Sequence, residues 1–120
     1  MPELNPSNED LVLITLYALG ANARPTAPAL NTDDLFDALS YLANEFNPEL
    51  FSAFASSDAK RVAANTLAPL GTHHFIAHPT LAVTSKGAKH LEDFPLLTES
   101  ITVAITLRDL LVNFSPAPTV

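Results

Sequence analysis

The chain contains no cysteine and no tryptophan, and its 120 residues include only three glycines and six lysines and arginines. Without cysteine there is no disulfide scaffold, no thiolate zinc site, no iron–sulfur cluster and no cysteine nucleophile. Three glycines leave no glycine-rich phosphate loop, and neither Gly-x-Ser-x-Gly nor His-Glu-x-x-His occurs. The carboxylates Asp33, Asp34 and Asp37 cluster where a helix start favours anions, which accounts for them without catalysis. His74 and His78 can share a strand face beside His73, but no carboxylate lies within residues 59–91 to complete a zinc set. The expectation is therefore no enzyme, no cofactor and no metal.

Long apolar runs are missing too. The longest stretch free of Asp, Glu, Lys and Arg, Val62 to Ser85, holds Pro69, Gly71 and Pro79 and cannot be one membrane-spanning helix. The first apolar run follows the acids Glu3, Glu9 and Asp10, whereas a secretory signal starts basic. We expect a cytoplasmic protein with no membrane contact. With 48% hydrophobic and 16% charged residues the chain is too apolar to be disordered throughout, and its length suits one domain.

The net charge of −7 argues against nucleic acid on its face, because DNA binding depends on neutralising phosphates. The average hides a division. Residues 59–91 hold Lys60, Arg61, Lys86, Lys89 and all four histidines with no acid, a local charge of +4. The remainder carries all 13 acids against Arg24 and Arg108. Such asymmetry sets aside one surface for an anionic partner.

Periodicity then organises the chain. Ser7 and Asp10 form a variant capping box before Leu11, Val12, Ile14, Leu16, Tyr17 and Leu19, and Gly20 offers a stop. This first helix is apolar nearly all round, so it belongs in the middle of the core or at a subunit interface. Residues 21–30 read as a loop with two prolines. A second helix starts at Asn31 or Thr32 and places Leu35, Phe36, Leu39, Leu42, Ala43 and Phe46 at helical spacing. Asn47-Pro48 begins a short helix over 48–54. Ser56 or Ser57 caps a third helix with Asp58 in its first turn, buried through Val62, Leu67 and Leu70 and ending at Gly71, with Pro69 tightening or fraying its last turn. Alternation through Phe75, Ile76 and Ala77, then Leu81, Ala82 and Val83, reads as a two-stranded hairpin. Thr84 or Ser85 caps a short helix over 86–93. The segment 97–114 fits strand alternation through Ile101, Val103, Ile105 and Leu107, and also a helix facing inward through Leu97, Ile101, Ala104, Leu107, Leu111 and Phe114. The helix is favoured, because Arg108 to Phe114 no longer alternates. Residues 115–120 read as a proline-rich tail, expected to be disordered.

Two stretches in this order carry a resemblance. Val62-Ala-Ala-Asn-Thr-Leu67-Ala-Pro-Leu70-Gly71 is similar to the end of a recognition helix, and Leu81-Ala-Val83-Thr84-Ser85-Lys86-Gly87 is similar to the leucine-threonine-x-x-glycine passage from a wing into its following helix. The chain thus resembles the winged-helix family of helix-turn-helix domains over roughly residues 8–93. It departs from that pattern in a longer connection, Asn47 to Ser56, and in a short wing at His78-Pro79-Thr80 without Arg or Lys. The expected fold class is mainly α with a small β-hairpin, a winged helix-turn-helix plus a C-terminal helix. The expected organisation is a flexible N-terminus (1–7), the winged-helix-like domain (8–93), a C-terminal dimerisation or packing segment (94–114) and the tail (115–120).

If Val62, Leu67 and Leu70 face the core, then Ser57, Lys60, Arg61, Ala64, Asn65 and Ala68 lie on the outer side. Arginine can pair with guanine and asparagine with adenine, while Ser57 and Lys60 suit phosphates. Lys86 and Lys89, beside the wing, would touch the backbone. The expected DNA-binding set is Ser57, Lys60, Arg61, Ala64, Asn65, Lys86 and Lys89, in a winged-helix transcriptional regulator. A small module with four basic side chains gains affinity by pairing, so a homodimer on double-stranded DNA is expected, joined through 97–114 with or without the first helix. The alternative is a winged-helix or helical module that binds a protein partner and no nucleic acid, suggested by the net charge of −7 and by Ala59, Ala63, Ala64 and Ala68.

Overall fold

The structure is a computed structural model that describes residues 6–21, 32–55, 58–77 and 81–114. Those residues are mainly helical: α1 (Asn8–Ala21), α2 (Thr32–Tyr41), α3 (Ala59–Thr72), α4 (Ser85–His90) and α5 (Pro95–Phe114). A π-helical turn spans Leu42–Phe46, and 3-10 turns span Ser52–Phe54 and Leu91–Asp93.

The helix expected in the middle is there. Leu11, Val12, Leu13, Ile14, Leu16, Ala18 and Leu19 of α1 are all buried, enclosed by α5, α3 and α2. Thr15 is fully buried as well, and its hydroxyl donates to the Leu11 carbonyl at 2.7 Å, so the polar atom needs no partner outside its own helix. The capping box closes as expected: the Ser7 hydroxyl accepts from the Asp10 N–H at 3.2 Å, and the Asp10 carboxylate accepts from the Ser7 N–H at 3.0 Å.

α2 buries Leu35, Ala38 and Leu39 and carries Asp33 and Asp34 in its first turn. It changes pitch at Leu42 instead of running on to Phe46, and the Asn47 N–H reaches back five residues to the Leu42 carbonyl at 3.0 Å. Asn47 Oδ1 then accepts from the Leu50 N–H at 3.1 Å and starts a new turn at Pro48. The helix expected over 48–54 is reduced to this turn and the 3-10 segment Ser52–Phe54. Three-residue spacing in a 3-10 turn puts side chains on one side. Here it sends Phe51 and Phe54 into the core, with Phe46 edge-on to Phe51 at 6.0 Å between centroids.

α3 corrects two expectations. Its N-cap is Asp58, which bonds to Arg61 and not to a backbone N–H, while Ser56 and Ser57 lie outside the described residues. The helix also runs past Gly71. It ends with His74 in the left-handed region (φ 61°), where glycine is usual, as the Phe75 N–H bonds the Leu70 carbonyl at 2.9 Å and the His74 N–H bonds the Gly71 carbonyl at 3.0 Å. Leu70 stays buried beneath this close.

The expected hairpin is corrected as well. Among the described residues there is no strand, only one antiparallel bridge between Ile76 and Val83. Two bonds frame it, Ala77 N–H to the Ala82 carbonyl at 2.8 Å and Thr84 N–H to the Phe75 carbonyl at 3.0 Å. Extended backbone is cut short on both sides by left-handed residues, His74 before it and Leu81 (φ 59°) within the return arm. The tip, His78-Pro79-Thr80, lies outside the described residues, as do 1–5, 22–31 and 115–120.

Thr84 joins this bridge to α4. Its hydroxyl donates to the His74 carbonyl and accepts from the Gly87 N–H at 3.1 Å, so one side chain closes α3's exit and caps α4. Gly87 is buried against the Phe75 carbonyl, and a Cβ there would lie 2.2 Å from that oxygen. The threonine and glycine of the sequence motif are thus both fixed by local geometry.

The last segment is a helix from Pro95. It buries Ile101 and Ile105, and Leu107, expected inward, is 54% exposed. At 100° per residue Leu107 lies about 120° from Ile101 and about 160° from Ile105, so it cannot share their face. The side chains of Leu111 and Phe114 lie outside the described set.

Two substitutions test the α3–α4 junction, with urea denaturation as the measurement. Gly87→Ala should destabilise the fold by about 2–4 kcal/mol, since backbone rather than a pliable side chain must yield. His74→Gly should stabilise it by about 0.5–1 kcal/mol, as the left-handed penalty outweighs the entropy of glycine.

Candidate nucleic-acid interface

α3 presents two faces. Ala63, Thr66, Leu67 and Leu70 are buried and Val62 half-buried, while Lys60, Arg61, Ala64, Asn65 and Ala68 are exposed. At 100° per residue the exposed five span an arc of about 140°. The two alanines leave the middle of that arc low, so a flat or grooved partner can approach the helix backbone while Lys60, Arg61 and Asn65 reach around it. Arg61 Nη2 lies 3.2 Å from Asp58 Oδ2, with both side chains more than 60% exposed. An ion pair so exposed contributes about 0–1 kcal/mol and is readily exchanged for another anion. Ser57, expected beside them, lies outside the described residues.

A second group, of lysines and histidines, gathers where α3 passes through the bridge into α4. The half-buried Phe75 ring is its hub. His90 stacks on it at 4.7 Å and 21°, His73 tilts against it at 5.7 Å, and Lys86 Nζ stands 5.6 Å from its centroid. A cation over an aromatic ring at an exposed site contributes about 0.5–1 kcal/mol, so the ring holds the ammonium in place without removing it from solvent. Lys86, Lys89, His73 and His74 are all exposed. This group and the Lys60–Arg61 pair lie at opposite ends of α3, whose 14 residues run about 21 Å.

His90 also ties this end of the molecule to the start of α1. Its Nε2 lies 2.8 Å from Asp10 Oδ1, while the other oxygen of Asp10 accepts from Ser7. One carboxylate therefore completes the α1 cap and anchors the element that carries Lys86 and Lys89. Sequence reasoning did not find this contact, because 80 residues separate the partners and no local spacing signals it.

A different surface lies on α5. Among the described residues the exposed large hydrophobic side chains are Tyr17, Leu96, Val103, Leu107 and Leu110. Sequence reasoning missed this outward set, although Leu96, Val103 and Leu110 recur every seven residues and that spacing was open to view.

A double-mutant cycle on Asp10→Ala and His90→Ala, followed by thermal unfolding, should return a coupling of about 0.5–1.5 kcal/mol. Additive single effects would show that the contact contributes nothing to holding α4 in place.

Compared with known protein families, characterised proteins and solved structures, the chain matches none.

Proposed function

We propose that this chain is a DNA-binding regulator of winged-helix type that acts as a dimer, with α3 as its recognition helix. The observation that carries the reading is the outer face of α3: Lys60, Arg61 and Asn65 are exposed around Ala64 and Ala68, in a segment, 59–91, without a single acid. In this reading α3 enters the major groove, about 12 Å wide, where low alanines permit close approach and Arg61 and Asn65 meet base edges. Lys60 contacts phosphate at one end of the helix, and Lys86 and Lys89 contact it at the other. Ser57 would join Lys60, as the sequence suggests. Pairing two modules supplies the affinity that one small set of cations lacks.

The second reading, a module that binds protein and no nucleic acid, draws on the Asp58–Arg61 pair, which already occupies the arginine, and on the net charge of −7. The two readings part on one experiment. Affinity for mixed-sequence duplex DNA, followed by fluorescence anisotropy, should fall steeply between about 50 and 200 mM salt. Lys60→Ala with Arg61→Ala should lower that affinity at least about 10-fold and flatten the salt slope by about 2. Thermal stability should hardly change, because both side chains are exposed. No binding at the lower salt, or binding indifferent to these two residues, would hand the α3 face to a protein partner.

A further inference from the structure

We propose that the exposed stripe of α5 is the seat of a second copy of this chain, packed antiparallel about a two-fold axis beside Val103. The inference rests on the dimeric half of the reading above and adds the surface and the register. Four of the five exposed large hydrophobic side chains among the described residues lie on this helix: Leu96 at 69%, Val103 at 53%, Leu107 at 54% and Leu110 at 44% exposure. At 100° per residue they fall within an arc of about 60°, opposite the face that buries Ile101 and Ile105. From Leu96 to Leu110 the stripe runs about 21 Å. A lone aliphatic side chain on a surface needs no explanation, but a row of four on one line of one helix does.

Three features fit a second copy in particular. An isologous contact needs a patch that matches itself. Leu96 and Leu110 lie seven residues to either side of Val103, so reversing the helix about Val103 lays three of the four side chains back on the stripe, with Leu96 of one copy against Leu110 of the other and Val103 against itself, while Leu107 comes level with Glu99 of the other copy. Seven-residue spacing also favours axes crossing at about 20°, which keeps two helices in contact along their length.

The second feature is charge. The chain carries −7, yet of the charged positions within α5 only Glu99 adjoins the stripe, so two acidic copies meet little like charge from this helix where these faces meet. A basic partner would be steered to the acids elsewhere. The third is extent. A stable dimer needs about 800 Å² from each copy. The stripe covers about 21 Å of α5, at 20 residues the longest helix described.

The test is the mass of the full chain by light scattering and sedimentation at about 10 and 100 μM, a range that spans a micromolar dimer. A dimer is expected. Val103→Glu with Leu107→Glu should weaken it at least about 100-fold through carboxylates brought face to face, with the helical circular dichroism retained because both positions are exposed. The register is read by cross-linking, since a chain without cysteine gains its only thiol from one substitution. Val103→Cys should cross-link with itself on mild oxidation. An equimolar mixture of Leu96→Cys and Leu110→Cys should cross-link between the two, and neither with itself.

A wild-type monomer at the higher concentration overturns the proposal. A dimer untouched by the two glutamates overturns the surface, and self-cross-linking of Leu96→Cys overturns the antiparallel register. Should the glutamate variant fail to fold, the near-isosteric Val103→Cys still decides. Loss of DNA binding on changing Lys60 and Arg61 bears on the α3 face alone, so the two readings stand or fall separately.

Discussion

The structure depends on enclosing one helix. α1 is apolar nearly all round beyond its first turn, and in water such a helix is stable only when neighbours cover most of it. Seven of its aliphatic residues, Leu11 to Ile14, Leu16, Ala18 and Leu19, are buried. A leucine, isoleucine or valine side chain gains about 1.5–3 kcal/mol by leaving water. Because α2, α3 and α5 all meet α1, each needs only one apolar face of its own. Their outer faces are released from the core. α3 uses its released face for Lys60, Arg61 and Asn65, and α5 keeps an apolar one, a difference the core does not dictate. That difference is what makes both outer faces informative about function.

The junction from α3 to α4 shows how far a short motif can be read. Thr84 and Gly87 stand out in the sequence as a spaced pair, and the structure supplies the physical reason for each. The hydroxyl must both donate to the His74 carbonyl and accept from the Gly87 N–H, which valine could not do. The glycine makes room for the Phe75 carbonyl. The number of rungs in the bridge was not legible in the same stretch. Alternation reports which way side chains point, but it is silent on the left-handed turns at His74 and Leu81 that end the pairing after Ile76 and Val83. Likewise Gly71 looks like a stop, yet His74 takes the left-handed position because Phe75 must return to the Leu70 carbonyl.

α5 was ambiguous for a related reason. Ile101, Val103 and Ile105 alternate with Thr102, Ala104 and Thr106, and β-branched residues favour strands. The helix accommodates them by turning two threonine hydroxyls back on its own backbone, Thr102 to the Thr98 carbonyl at 2.7 Å and Thr106 to the Thr102 carbonyl at 2.8 Å. Thr15, Thr66 and Thr72 do the same in α1 and α3. A threonine-rich segment therefore suits strand and helix alike until its register against the core is known. Here burial of Ile101 and Ile105, four apart, decides it, and it sends Leu107 outward. The exposed face of α3 was easier to foresee because Val62, Leu67 and Leu70 leave one helical arrangement. The His90–Asp10 contact belongs to topology, which no spacing within a helix encodes.

Charge placement links these observations to function. A chain of −7 attracts an anionic partner only if its cations are gathered and its acids kept at a distance, since in about 0.1 M salt a charge is largely screened beyond about 10 Å. Gathering is done by the Phe75 ring, which holds Lys86 beside it, and by placing Lys60 and Arg61 on consecutive positions of α3. Keeping acids away is done in two ways. Asp10, brought close to α4 by the fold, is engaged by both Ser7 and His90, and Asp58 lies against Arg61. An acid held by a partner projects less field than a free one, so the face keeps its sign although acids border it. On the proposed reading the acidic remainder would orient the molecule toward an anion as well as weaken its attraction, because the segment without acids is the one an anion approaches with least repulsion.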